Sequence, residues 1–315
     1  MTRNRYHSGK KVRKYRRTVL ITALLIVVVS LISFAAVNFI NFKNNEGPDQ
    51  KEYHRLWASG AFEKILTLSG EQLAQKPLDY FLLTINGFSA YQLAIAQINN
   101  FSMLSYIDNC IWSLRKALIL KESLKDGRLF YVLGKAYYYK GNGYADLAIK
   151  YLEKALESGY VERDIPEYLG LAYISVKDYR SGVASFTQAL NPADGINALP
   201  SDTLLLSIAG AYIAMGEDDS AFAYLMRCME VSKDSGMILS ARLSLGDIFL
   251  RKGNYGGAEE QYTLVIRESG ENAEAHYRLG ELYSSRGETI RARAEWRRAV
   301  QIDPAHRQAR SRLNI

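Results

Sequence analysis

Between Gly127 and Pro304 one residue pattern returns at an almost fixed period. Its last copy reads Leu279-Gly280, Tyr283, Gly287, Ala292, Trp296, Ala299 and then Pro304. Leu245-Gly246, Phe249, Gly253, Ala258, Tyr262 and Val265 each stand 34 positions before a counterpart. Earlier copies read Ala209, Tyr212, Gly216, Ala221, Leu225, Cys228, and before them Leu169-Gly170, Tyr173, Gly182, Phe186, Ala189. The first clear copy is Leu133-Gly134, Tyr137, Gly141, Ala148, Leu152 and Ala155, with two residues inserted at its turn. The pattern reads as paired antiparallel helices. The small residue after Leu is expected where helix A is crossed closely by helix B, and the later Ala is its small counterpart on helix B. The aromatics at 137, 173, 212, 249 and 283 are expected to fill the gaps between neighbouring copies. Gly141, Gly216, Gly253 and Gly287 are expected to end helix A in the left-handed conformation that glycine adopts without a Cβ clash. One such hairpin cannot bury both of its apolar faces, so stacking has to supply the stability.

This period and these residues resemble the tetratricopeptide repeat (TPR) family. The resemblance implies an all-α TPR helical-hairpin solenoid, wound as a right-handed superhelix, and a binding style of function. It also implies a concave groove lined by repeat positions 2, 5, 9 and 12 of helix A. Those positions are Arg128, Tyr131, Lys135, Tyr138; Asp164, Glu167, Leu171, Ile174; Thr203, Leu206, Gly210, Ile213; Ser240, Leu243, Asp247, Leu250; and Glu274, Tyr277, Glu281, Ser284. The Lys and Asn set with which some family members clamp a peptide C-terminus is missing. The partner-binding residues expected are Tyr131, Lys135, Tyr138, Leu171, Ile174, Leu206, Ile213, Leu243, Asp247, Leu250, Tyr277 and Glu281. They form an apolar strip with charged ends, suited to an amphipathic helix or extended apolar segment of a protein partner. The alternative is that a tight superhelix hides part of the strip as internal packing.

Thr18 to Ile40 is 23 residues without a charge, long enough to span a hydrocarbon core of roughly 30 Å. Eight Lys and Arg precede it with no acid among them, and the chain carries +7, so everything after residue 17 sums to −1. The basic pI thus belongs to a short tail, and a nucleic-acid-binding face on the folded body is disfavoured. The positive-inside rule places residues 1–17 in the cytoplasm and the body outside, with 18–40 as an uncleaved single-pass anchor. The competing reading is a signal peptide cleaved near Ser33-Phe34-Ala35, although its apolar region runs longer than such signals do. The tail sets topology, and it would also attract anionic lipid.

Residues 41–50 read as a linker and 51–125 as one or two degenerate repeats with extended helices: a pair around Gly60, a helix opened by Pro77, and Cys110, Leu114, Ala117 at helix-B spacing. Residues 126–304 hold five TPR repeats, for six or seven in all. A longer loop follows Asn191, and Ser201-Asp202 is expected to cap the next helix. Residues 305–315 read as a capping helix, either a solvated end face or a basic dock for an acidic partner. The two cysteines, Cys110 and Cys228, are expected as separate buried thiols.

No catalytic constellation is present. The histidines at 7, 54, 276 and 306 are scattered, and no GxSxG, HExxH or P-loop occurs. His276 is expected as a half-exposed surface residue. No enzyme activity, cofactor, metal, nucleic acid or small-molecule substrate is expected. The whole reads as a protein of the bacterial inner membrane with a periplasmic solenoid. It is expected to act as a scaffold or assembly factor in an envelope complex, such as a flagellar-motor accessory component. The alternative is a translocon-associated holdase for unfolded exported chains.

Overall fold

The computed structural model describes residues 48–120, 126–190 and 201–315. The anchor expected over 18–40, its basic tail and the loop after Asn191 lie outside the described residues. Among the described residues there is no strand, and no helix is long and apolar enough to cross a membrane.

The chain runs as successive helical hairpins. These are α1 (Gln50–Ala58) with α2 (Phe62–Gln75), α3 (Tyr80–Ile95) with α4 (Asn100–Leu120), and α5 (Gly127–Lys140) with α6 (Ala145–Glu157). Then follow α7 (Ile165–Ser175) with α8 (Tyr179–Leu190), α9 (Asp202–Met215) with α10 (Asp218–Val231), and α11 (Ser235–Arg251) with α12 (Tyr255–Glu268). The last pair is α13 (Ala273–Ser285) with α14 (Thr289–Ile302), and α15 (Arg307–Leu313) closes the array.

Local chemistry sets the helix ends. The side chains of Asp49, Asp126, Asp234, Asn254 and Asn272 each accept a hydrogen bond from a backbone N–H of the first turn, the ordinary cap for orphan donors. Pro77 does not open α3 as expected. It lies in the preceding turn, and Asp79 caps the helix instead, accepting from Leu82 N at 3.0 Å. Ser201 makes no side-chain cap; Asp202 Oδ1 accepts from Thr203 N. Gly216, Gly253 and Gly287 turn at φ of +78°, +72° and +76°. Gly141 departs from them at φ +118° and ψ 172°, because a short 3-10 turn over Asn142–Tyr144 absorbs the inserted residues there. In the next repeat the turn has no glycine, and Lys177 itself takes φ +64°.

The helix A–helix B crossing is as tight as the small residues imply. A Cβ on Gly134 would lie 2.6 Å from Leu152, one on Gly170 2.4 Å from Phe186, one on Gly246 2.4 Å from Tyr262 and one on Gly280 2.5 Å from Trp296. Gly87 faces Leu114 in the same way at 2.6 Å, so α3 and α4 use the same contact as the clear repeats. Cys110, Leu114 and Ala117 are fully buried beside it, as are Ala148, Leu152 and Ala155 in α6. Both cysteines are free and buried. Burying side chains such as Phe186 and Tyr262 contributes about 1.5–3 kcal/mol apiece. The core is a string of clusters. The first runs from Tyr53 to Ala172, and others follow around Leu152, Phe186, Leu225 and Tyr262, so each hairpin depends on its neighbours.

The five aromatics divide into two groups. Tyr173 donates to Glu153, Tyr283 donates to Glu259, and Phe249 meets Phe222 edge-on at 6.0 Å, each reaching helix B of the preceding repeat. Tyr137 and Tyr212 instead stack on Tyr151 and Tyr224 of their own helix B, at 5.5 and 5.6 Å.

Candidate groove on the helix A face

The twelve groove residues lie on five helices: Tyr131, Lys135 and Tyr138 on α5, Leu171 and Ile174 on α7, Leu206 and Ile213 on α9, Leu243, Asp247 and Leu250 on α11, and Tyr277 and Glu281 on α13. None of their apolar members stands out into solvent. Tyr131, Tyr138, Leu171, Ile174, Leu206, Ile213, Leu250 and Tyr277 are half-buried, each packed against a core cluster. Leu243 is 8% exposed and sits within the core alongside Tyr262 and Leu279. It is packing rather than surface.

Each charged member is already engaged. Lys135 is only 9% exposed, and its Nζ donates to Asp164 Oδ2 at 2.7 Å and to Tyr131 OH at 3.0 Å. The ammonium also lies 4.4 Å from the Tyr168 ring centroid, 5.0 Å from that of Tyr131 and 5.9 Å from that of Tyr91. A cation held over aromatic faces while paired to a carboxylate is an internally satisfied charge. Burial and the hydrogen bond to Asp164 push the Tyr131 phenol well above its ordinary range, so it stays a donor. Tyr139 and Tyr168 join the cage through a 2.7 Å hydroxyl contact.

Asp247 occupies the other end. Its Oδ1 accepts from Tyr262 OH at 2.7 Å, and its Oδ2 accepts from Arg278 Nη1 at 2.5 Å. Burial raises the Asp247 carboxyl above its usual value, against the pull of Arg278 and Tyr262. Arg278 Nε also donates to Glu274 Oε1 at 2.7 Å. Glu274 Oε2 lies 3.1 Å from His306 Nε2, while His306 Nδ1 caps α15 by accepting from Ala309 N. Glu281 is held by Arg312 through contacts of 2.9 and 2.5 Å. The C-terminal end is therefore partly self-neutralised: of its basic residues, His306 is 8% exposed and Arg312 is paired. His276 lies against Glu295 at 2.7 Å with 12% of its side chain exposed.

Between these two networks the groove positions Leu171, Ile174, Leu206, Gly210 and Ile213 carry no charge. Gly210 is exposed, and a Cβ built there would meet nothing within 4 Å. This glycine closes no internal contact, unlike Gly134, Gly170, Gly246 and Gly280, and it leaves the middle of the face open. The partners Arg278, Arg312 and Tyr168 were not legible from groove positions alone. A signal for the ion pairs was present, because opposite charges recur just under one repeat apart. Asp218–Arg251 are separated by 33 residues, Glu281–Arg312 by 31, Asp247–Arg278 by 31 and Asp108–Lys140 by 32.

A separate depression of about 460 Å³ lies among α2, α3 and α4, lined by Leu73, Asn86, Asn109 and Trp112. Its polar floor is satisfied: Asn86 donates to Ser69 at 2.8 Å and accepts from Ser113 at 2.9 Å. Among the described residues no group of three His, Cys, Asp or Glu is placed to hold a metal.

Tetratricopeptide repeat family models match residues 128–158, 203–235 and 240–307. No curated protein sequence matches the chain. Among solved structures, the C-terminal part of a TPR repeat-containing protein from Cytophaga hutchinsonii is similar with a TM-score of 0.59 at 15% identity, covering 85% of this chain and all of that one. PilW, described as a widely conserved type IV pilus biogenesis factor, gives 0.54 at 19% identity over 72% of this chain and 98% of its own. Pseudomonas aeruginosa pilF gives 0.51 at 15% identity over 72% and 96%. At such identities the likeness is one of fold. With tetratricopeptide repeat models matched at three stretches of the array and four of the five clear repeats closed by the same glycine-against-bulky-residue crossing, the described residues form an all-α solenoid that carries tetratricopeptide repeats.

Proposed function

We propose that this solenoid is held at a bacterial inner membrane by Thr18 to Ile40, with the N-terminus cytoplasmic and the repeats periplasmic, and that it docks a protein partner in its groove. The support for the anchor is the uncharged run and the one-sided basic flank. The support for the dock is the uncharged middle of the helix-A face, where Gly210 leaves open space between Leu206 and Ile213. An amphipathic helix or extended apolar segment suits that middle, since Lys135, Asp247 and Glu281 at either end are engaged in internal pairs. The role that follows is assembly or scaffolding of an envelope machine. PilW, whose fold is similar, is described as a type IV pilus biogenesis factor; a flagellar-motor accessory component would be another form of such a role.

The test is capture from native cells of crosslinked, detergent-solubilised full-length chain, compared with Gly210→Trp. A Cβ at this position meets nothing within 4 Å, so the new side chain starts into the open face. A short, reproducible set of envelope subunits that disappears with Gly210→Trp is the expected result. Undiminished capture would remove the groove as the site. A broad set of unrelated exported chains would point to a holdase instead.

A further inference from the structure

The α3–α4 hairpin differs from the rest of the array in its charge. From Tyr80 to Ile107 there is no Asp, Glu, Lys, Arg or His. The turns within the hairpins from α5 onward carry or adjoin charge, at Lys140, Lys177-Asp178, Glu217-Asp218, Lys252 and Glu288. At the tip of the uncharged hairpin Ile98 is 103% exposed and Phe101 84%, flanked by Ile95 and Leu104. The turn is firmly built: Asn99 Oδ1 accepts from Phe101 N at 2.8 Å, and Gln97 Nε2 donates to Leu93 O at 3.2 Å. The apolar side chains are therefore presented on a hydrogen-bonded turn, with only neutral polar groups beside them.

We propose that this tip inserts into the interfacial region of a lipid bilayer, as a second membrane contact beside the anchor. A protruding apolar point needs a pocket of matching shape to be buried by a protein. A fluid acyl phase accommodates it without one, and a segment free of charges can enter without desolvating an ion. The position of the tip fits this use, and here the inference rests on the anchor reading. Helices alternate in direction, so Pro48 enters at the edge opposite the tip. The seven residues between Ile40 and Pro48 reach about 25 Å when extended. The 16 residues of α3 span about 24 Å, so the tether can run the height of the hairpin and bring its tip to the membrane surface. The next hairpin turn on that edge exposes Tyr144, a residue type favoured at membrane interfaces.

The experiment uses full-length chain in phosphatidylcholine vesicles, carrying an environment-sensitive fluorophore at Ile98→Cys, at Ser33→Cys within the apolar run, or at Val161→Cys on the opposite edge. The native thiols do not compete, since Cys110 and Cys228 are fully buried and burial pushes both thiols up. Vesicles with doxyl-labelled acyl chains then report lipid contact. The expected result is a blue-shifted label at 98 that is quenched by the doxyl lipids, with the label at 161 unaffected. Quenching at 33 with an aqueous label at 98 would overturn the tip insertion and leave the anchor standing. Quenching at 98 without quenching at 33 would uphold the tip and overturn the anchor. No quenching at either site would overturn both. A label at 98 that is blue-shifted but not quenched would assign the tip to a protein, a second copy included, and reject the lipid.

Discussion

Two glycines in the helix-A interiors should respond differently to one substitution. Ala in place of Gly adds about 1 kcal/mol of helix propensity wherever the new methyl has room. At Gly210 it has room, since nothing lies within 4 Å of the added Cβ, so Gly210→Ala should stabilise the array by about that amount. At Gly280 the same methyl would lie 2.5 Å from Trp296 Cδ1 and Nε1 and 3.1 Å from the carbonyl oxygen of Ala292. Carbon contacts are comfortable at about 3.5–4.0 Å, so the ring would have to retreat by roughly 1 Å. Trp296 is 6% exposed, with the Arg312 guanidinium 5.7 Å from its ring, and has little space in which to move. Overpacking of this kind costs about 1–3 kcal/mol, which offsets the propensity gain and leaves Gly280→Ala level with the parent or up to about 2 kcal/mol less stable. The separation between the two variants, about 1–3 kcal/mol, measures the crossing contact itself. Urea denaturation followed by far-UV circular dichroism gives it, compared at fixed urea because a repeat array need not unfold in one step. Equal stabilisation by both substitutions would refute the claim that the glycine after Leu is required by the crossing.

Two further outcomes follow from the buried networks. Tyr53, Tyr160, Tyr173 and Tyr283 are each pushed up to about 12 from an ordinary 10.0, first by burial and then by a neighbouring carboxylate. The folded chain therefore keeps these protons where the unfolded chain has lost them, so stability is intact below pH 10 and falls as the pH rises towards 12. An alkaline titration should show the last part of the tyrosinate absorbance rising together with loss of helix; complete ionisation of the tyrosines near pH 10 with the helix retained would refute this. In the cage on α5, Asp164→Ala strands a Lys135 ammonium that is 9% exposed and should cost about 1–3 kcal/mol, tempered because the Asp164 side chain is 36% exposed. Lys135→Met removes the charge and sets a thioether against Tyr91 and Tyr168, and should stay within about 1 kcal/mol of the parent. Equal losses for the two in a denaturation midpoint would show that the ion pair is not what Asp164 supplies.

Periodicity along the chain was enough to set out the paired helices of the clear repeats and the small residue after Leu at their crossings. The close crossing after Leu133, Leu245 and Leu279 was read from spacing, with a small Ala expected opposite each glycine; that Leu152, Tyr262 and Trp296 are what the glycines meet came only from the packed hairpins. In residues 51–125 the helix-B spacing of Cys110, Leu114 and Ala117 was legible, whereas the place of Gly87 against Leu114 came from the structure. What the sequence could not decide was the state of the groove. Whether Leu243 lines a surface or a core depends on how far neighbouring hairpins tilt, and the tilt buries it to 8% exposure. Whether Lys135, Asp247 and Glu281 are free to bind depends on which charges arrive from the next repeat, and Asp164, Arg278 and Arg312 arrive to neutralise them. Helix A fixes a residue's direction through local geometry, whereas its exposure and its partners come from residues about thirty positions away, and only the stacking of hairpins brings those together.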